Sequence, residues 1–240
     1  MSFIEKNKLR NSVRNFNSEK ELTEQQINNI LEAVKNAPTS NNFFVSSAIV
    51  VKDKDLLEKI SLTLKQKQIY TSGFFIVFLA DFNRLDYILN NEKIHYEPTI
   101  NDLLIATGDA FIQATSAQDA AIEEGLGTCF IGGVREYISE LKDLLNIEGN
   151  AFPVIGLVIG NMVEQPVSSK PKLNRIYLNN YKKDVLANEI KEYDATLNEY
   201  WKVRNIDGDY SKYSTNYLKN SNEKSKLVEN IILKNFNLKK

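Results

Sequence analysis

Five short clusters in this chain carry groups able to hold a ligand. Arg10-Asn11-Ser12-Val13-Arg14 sets two guanidinium groups beside a hydroxyl and an amide. That combination grips a phosphate by charge and by fork-shaped donors, although an arginine pair alone reads as readily as a solvated surface patch. Thr39-Ser40-Asn41-Asn42 offers hydroxyls and amides suited to a polyol or the edge of a heterocycle, or simply makes a turn. Gln66 stands between Lys65 and Lys67 at the end of a helical pattern. Gly132-Gly133 follows the apolar run ending at Ile131 and leaves bare backbone N–H groups there, where a flat ligand can touch the main chain. Lys170-Pro171-Lys172 fixes two ammonium groups about a rigid proline, as a phosphate clamp or an ordinary basic loop.

Several other chemistries are excluded. The single histidine, His95, lies in a polar stretch and leaves neither a common zinc site nor a Ser–His–Asp triad. The single cysteine, Cys129, rules out an intrachain disulfide, and its apolar surroundings predict a buried, inert thiol. With no histidine or cysteine candidate, any chemistry is expected to belong to a bound cofactor. Thirty basic residues against 31 acidic ones give no general attraction to nucleic acid or to an anionic membrane. The start of the chain (Glu5, Lys6, Asn7, Lys8) has no apolar signal core, which predicts a cytoplasmic protein.

The elements that must position these clusters are legible from periodicity. Thr23 and Gln26 form a capping box before Ile27, Ile30, Leu31 and Val34, predicting an amphipathic helix over residues 23–36. Val45–Val51 reads as a strand, Leu56–Lys65 as a helix and Gly73–Ala80 as a strand with no polar face, which belongs inside a covered sheet. Asp81–Ile100 reads as a polar, flexible excursion. Leu103–Ala121 is a long helix kept thin by Ala106, Ala110, Ala114, Ala117, Ala120 and Ala121. Asp109, Gln113 and Asp119 interrupt it too often for a membrane span. Gly125 suits its C-terminal cap, and Thr128–Ile131 a short buried strand. Arg135–Leu145 reads as a helix and Phe152–Ile159 as another buried strand. Strands separated by helices without period-two alternation mean an α/β or α+β layer fold. Beyond about residue 165 come a loop over Gln165–Leu178 and a helix carrying Tyr193, Leu197, Tyr200 and Trp201 on one face. A polar stretch over Asn205–Asn220 and a terminal helix from about Glu223 follow. This part is too short and polar for a core of its own, so it is expected to wrap the main body or a partner subunit, leaving residues 1–240 as one domain.

In order and spacing, these clusters resemble the nitroreductase superfamily, and most of all its branch of oxygen-insensitive nitroreductases and NADPH:flavin oxidoreductases. The resemblance runs from Arg10 to about Tyr213. Ser12, Arg14 and Phe16 match an opening motif of the form His-Arg-Ser-Ile-Arg-x-Phe, while Arg10 and Asn11 depart from it. Thr39, Ser40, Asn41 and Asn42 match a polar turn after the first long helix, and Gln66 a glutamine beside the flavin pyrimidine ring. Phe130-Ile131-Gly132-Gly133 matches a Tyr-Ile-Gly-Gly turn, and Lys170-Pro171-Lys172-Leu173 a Lys-Pro-Arg-Leu segment. Ala80–Arg84 and Glu192–Asp194 resemble the branch's strand end and tail helix.

The resemblance implies an α+β fold of three layers, with a central, mainly antiparallel sheet flanked by helices and a C-terminal extension. It implies non-covalent FMN held by Arg10, Asn11, Ser12, Arg14, Thr39, Ser40, Asn41, Asn42, Gln66, Ile131, Gly132, Gly133, Lys170 and Lys172. It further implies a homodimer with FMN at the subunit interface and the alanine-rich helix contributing to it. No side chain is expected to be catalytic: NADPH or NADH delivers hydride to flavin N5, and a nitroaromatic, quinone, free flavin or azo dye then takes the electrons in a ping-pong cycle. Cationic donors suit the FMN phosphate, amides and glycine N–H groups suit the ring edge, and positive charge near N1 and O2 favours the reduced ring. Arg204 matches an arginine of the branch's NADPH cluster. Asp207 and Asp209 stand where more basic residues are expected, so both nicotinamides should serve, with Lys202 and Lys212 in partial compensation. The alternatives are a non-catalytic flavin-binding or sensing protein, or another flavin reaction on the same fold, such as flavin breakdown or reductive dehalogenation.

Overall fold

A computed structural model describes residues 1–164, 170–236 and 238 of the chain. Its contacts separate two units, Met1–Val167 with Val228–Lys240, and Ser168–Leu227. The first unit runs α1 (Phe3–Leu9), α2 (Glu24–Lys35), β1 (Ser46–Val51), α3 (Lys54–Leu64), α4 (Gln68–Thr71), β2 (Phe74–Asp81), α5 (Asn83–Asn91), α6 (Ile100–Glu123), β3 (Gly127–Ile131), α7 (Ile138–Leu145) and β4 (Ala151–Gly160). The second holds α8 (Leu186–Lys202) and most of α9 (Tyr210–Asn235), whose last turns return to the first.

The strands form one antiparallel sheet in the order β1-β2-β4-β3, so β2 and β4 are central. Both are buried along their whole length, as expected of strands covered on both faces. One face packs under α2 and α6, where Ile30, Phe78, Ala110, Ala114 and Leu157 are sealed from solvent. The other packs against α3, α4 and α7 through Leu57, Ile60, Ile69, Val77 and Leu141. Helix–sheet–helix layering makes this an α+β fold. The alanines at 106, 110, 114, 117 and 121 are all buried and give α6 the slimness needed to lie close to α2 and the sheet.

Two positions in β4 explain its register. Pro153 cannot donate to a ladder, and the pairing with β2 shifts there, between Phe78 and Leu79, as a β-bulge. A Cβ at Gly156 would collide with the Phe75 ring, so glycine makes room for an aromatic side chain in the middle of the sheet.

Three sequence expectations are corrected. The first half of the segment after Asp81 is not a free excursion. It forms α5, because Leu85 turns onto the core and Arg84 donates to the carbonyls of Phe44 and Ser46 and to the Ser47 hydroxyl. The helix expected over Arg135–Leu145 is split, with 3-10 turns over Gly132–Tyr137 before α7. The terminal helix begins at Tyr210 and not near Glu223. The N-terminal residues form α1, opened by a Ser2–Glu5 capping box. The loop expected over Gln165–Leu178 lies partly outside the described residues, at 165–169; from Lys170 to Tyr177 it has no regular structure.

Candidate functional site

Chain segments with no helical or strand regularity of their own are anchored at the β3 edge. Ser12 forms a parallel bridge to Thr128, with the Val13 N–H on the Thr128 carbonyl at 2.9 Å. Phe16, 5% exposed, bridges Met162 and plugs the end of the sheet. This anchorage places Arg14 outward beside β3, where its Nη1 donates to the Ser12 carbonyl at 3.3 Å. Gln66 arrives from the other direction. Lys65 takes a left-handed conformation at the end of α3, the Gln66 N–H closes on the Ser61 carbonyl at 3.0 Å, and the Ser61 hydroxyl donates to the Gln66 carbonyl at 3.1 Å.

Arg14, Gln66, Gln68, Cys129, Phe130, Ile131, Gly132 and Gly133 together line one polar depression of about 190 Å³. The Gln68 amide donates to Gln66 Oε1 at 2.6 Å, so the group Gln66 has to offer a ligand is its NH2. A Cβ added to Gly133 would meet no atom within 4 Å, so the main chain there borders open space. Burial pushes the Cys129 thiol up, against the opposing pull of the Arg14 charge, the Ser12 hydroxyl and the Arg10 charge. That thiol is a neutral wall of the depression, and both arginine charges act on the same spot.

The other expected residues lie elsewhere. Arg10 and Asn11 line a neighbouring, mostly apolar cavity of about 350 Å³ with Leu9, Ile122, Leu126 and Met162. Thr39–Asn42 sits before β1, on the α6 side of the sheet, where Thr39 and Ser40 bond to Asp109. β1 and β3 are the outer strands, roughly 14 Å apart at three strand spacings. One chain thus gathers Arg14, Gln66, Ile131, Gly132 and Gly133 but does not bring the Thr39–Asn42 turn to them. Lys170, Lys172 and Arg204 belong to the second unit. There Lys170 Nζ stands 5.8 Å over the Trp201 ring, and Arg204 stacks 3.7 Å over Tyr200 while donating to its carbonyl at 2.9 Å. Asp209 does not present a free charge: it accepts the Lys212 N–H at 2.8 Å as the cap of α9 and pairs with the Lys212 ammonium.

Two contributors were missed in the sequence. Gln68 was readable as a second amide two residues after Gln66. Asp109 was readable as a carboxylate in line with buried alanines, a position that demands partners.

The family model described as Nitroreductase family matches residues 8–161, the segment that contains the sheet and the depression. An FMN reductase that uses NAD(P)H, from Bacillus subtilis (strain 168), is 34% identical over 201 residues, 80% of each chain. The solved structure of B. megaterium NfrA1 is 30% identical, with a TM-score of 0.84 over 92% of this chain and 93% of that one. That of the NADPH:FMN oxidoreductase from Vibrio harveyi, complexed with NAD+, is 26% identical, with a TM-score of 0.79 over 92% and 97%. With its sheet order, its glycine-bordered depression and a match over most of its length, the chain belongs to the nitroreductase family.

Proposed function

We propose that the protein is an FMN-dependent NAD(P)H oxidoreductase acting on small electron acceptors. The observation that carries this reading is the convergence of Arg14, the Gln66 NH2 and the bare Gly132-Gly133 backbone on one depression. The donor set fits FMN: a guanidinium for the phosphate, an amide N–H for a ring carbonyl, and a glycine edge whose missing side chain leaves room for a flat ring. When bound, FMN supplies two-electron transfer between a nicotinamide donor and an acceptor such as a nitroaromatic, quinone or free flavin. The chain's part is to bind and orient it. Arg14 anchors the phosphate, with Arg10, Asn11 and Ser12 beside it. Gln66 fixes the pyrimidine edge, and Ile131, Gly132 and Gly133 border the ring.

The separation of the Thr39–Asn42 turn from this depression supports a homodimer in which each cofactor site takes that turn from the second chain. Apolar residues exposed along one face of α6 support the same assembly: Ile100, Leu104 and Phe111, at 66%, 65% and 41% exposure. Gly108 sits between them, where a Cβ would meet nothing, and would allow another helix to come close. In this reading residues 1–240 form one catalytic domain with a C-terminal extension, Arg204 contacts the nicotinamide donor, and the protein works in the cytoplasm. No helix among the described residues is long and apolar enough to cross a membrane.

Gly133→Val tests the reading. The new side chain points into open space, so the variant should fold and unfold as the parent does while retaining little FMN. A Gly133→Val protein that binds FMN as tightly as the parent would remove the depression as the flavin site.

A further inference from the structure

We propose that Asp109 is a positioning residue for the cofactor site: it makes the Ser40 hydroxyl a pure acceptor, reserved for a hydrogen-bond donor of the flavin. The proposal rests on the reading that the Thr39–Asn42 turn faces FMN across the dimer.

Asp109 lies in the middle of α6 and is 1% exposed. A carboxylate there must be satisfied by donors, and Thr39 and Ser40 supply three. The Ser40 N–H and Ser40 hydroxyl donate to Oδ1 at 3.0 and 3.1 Å, and the Thr39 hydroxyl donates to Oδ2. Both hydroxyls donate to this carboxylate, so both hydroxyl protons are committed to it. Thr39 Oγ1 is also occupied from the other side, accepting the Phe44 N–H at 3.1 Å. The Ser40 oxygen keeps lone pairs and no proton to give. Asn41, Asn42 and Phe44 then carry the chain through left-handed conformations, with φ of 52°, 58° and 51°, which asparagine adopts more readily than phenylalanine. Asp109 therefore fixes both the shape of the turn and the polarity of its hydroxyl.

A ligand atom that meets Ser40 Oγ must bring its own proton. In FMN the ring N3–H and the ribityl hydroxyls qualify. The ring carbonyls and the phosphate oxygens do not. The phosphate is thereby assigned to Arg14 and its neighbours, and the Thr39–Asn42 turn to the ring edge or the sugar chain.

A double-mutant cycle on FMN affinity tests this, with the dimer reconstituted from apoprotein and read by flavin fluorescence. Ser40→Ala should weaken FMN about tenfold, the upper range for one neutral hydrogen bond. Asp109→Ala, which takes away the acceptor and frees the Ser40 hydroxyl proton, should weaken it by a similar factor. The double variant should be no weaker than either single one. Equal losses from Asp109→Ala with and without Ser40 would mean that Asp109 merely supports the fold, and would overturn the proposal. A loss for Ser40→Ala with none for Asp109→Ala would overturn it while leaving the flavin reading intact. No loss for Ser40→Ala, beside a clear loss for Arg14→Ala, would instead remove the turn from the site. If Asp109→Ala does not fold, the parent can be titrated with FMN methylated at N3 and with FMN lacking a ribityl hydroxyl. One analogue should lose about tenfold against the parent and nothing against Ser40→Ala. Parent-like binding of both would contradict the assignment.

Discussion

Arg14 joins the sequence to the chemistry most directly, because its position depends on only two neighbours. The Ser12–Thr128 bridge fixes the backbone, and Phe16 pins the far end of the segment. Replacing Arg14 with Ala removes a charge-assisted contact without touching the core, and should weaken FMN binding by about 2 kcal/mol with unchanged unfolding. Equilibrium titration of the apoprotein checks this, and unchanged affinity would place the phosphate elsewhere. At this scale the sequence was legible wherever a local motif fixes a residue, as for Arg14, Gln66 and Gly132-Gly133. It was not legible where a distant partner decides what a group can do. Nothing local to Thr39 and Ser40 reveals that their protons belong to Asp109, about 70 residues on. Nor does the spacing of Asp209 from Arg204 reveal that Asp209 caps its own helix.

Among the elements, α6 carries a dependence on pH at its N-terminal cap. Thr99 and Asp102 form its capping box, and the Tyr96 hydroxyl donates to Asp102 Oδ2 at 2.7 Å. Burial raises the Asp102 carboxyl, but the hydrogen bonds from Thr99, Tyr96 and the backbone outweigh it and hold the group below its usual range. A depressed carboxyl stabilises the folded chain above the unfolded-state pKa, roughly 4, and that contribution is lost as pH falls through the folded value. Asp102→Asn should therefore be less stable than the parent at pH 7, with the gap closing on acidification toward pH 3. Urea unfolding at both pH values decides it; a gap independent of pH would refute the linkage. Capped, periodic elements such as α2 and α6 were readable because cap and apolar stripe agree. α5 and the first half of α9 were not, since their stability comes from contacts made elsewhere: Arg84 on the Phe44 carbonyl, and Ser211 bonded to Asp194. Phe236, just past α9, is fully buried against Phe82 and Phe152 within the first unit, a contact no local pattern announced.

At the scale of the whole molecule, the four-stranded sheet holds the two halves of the expected cofactor set apart, at opposite edges and on opposite faces. Composition and strand order give the layers, but only the arrangement of the folded chain reveals that the turn lies away from the depression. Interfaces that complete a cofactor site fall at the large, apolar end of the range, so the protein should be dimeric at micromolar concentration. Light scattering that found a monomer with its full complement of FMN would contradict the shared site. Reduction of the bound flavin by a nicotinamide is decided by anaerobic titration of the FMN-loaded protein with NADH and, separately, NADPH. Both should bleach the visible flavin absorption stoichiometrically, with a modest preference between them. A protein that binds FMN yet keeps it oxidised under both donors would be a flavin binder and no oxidoreductase.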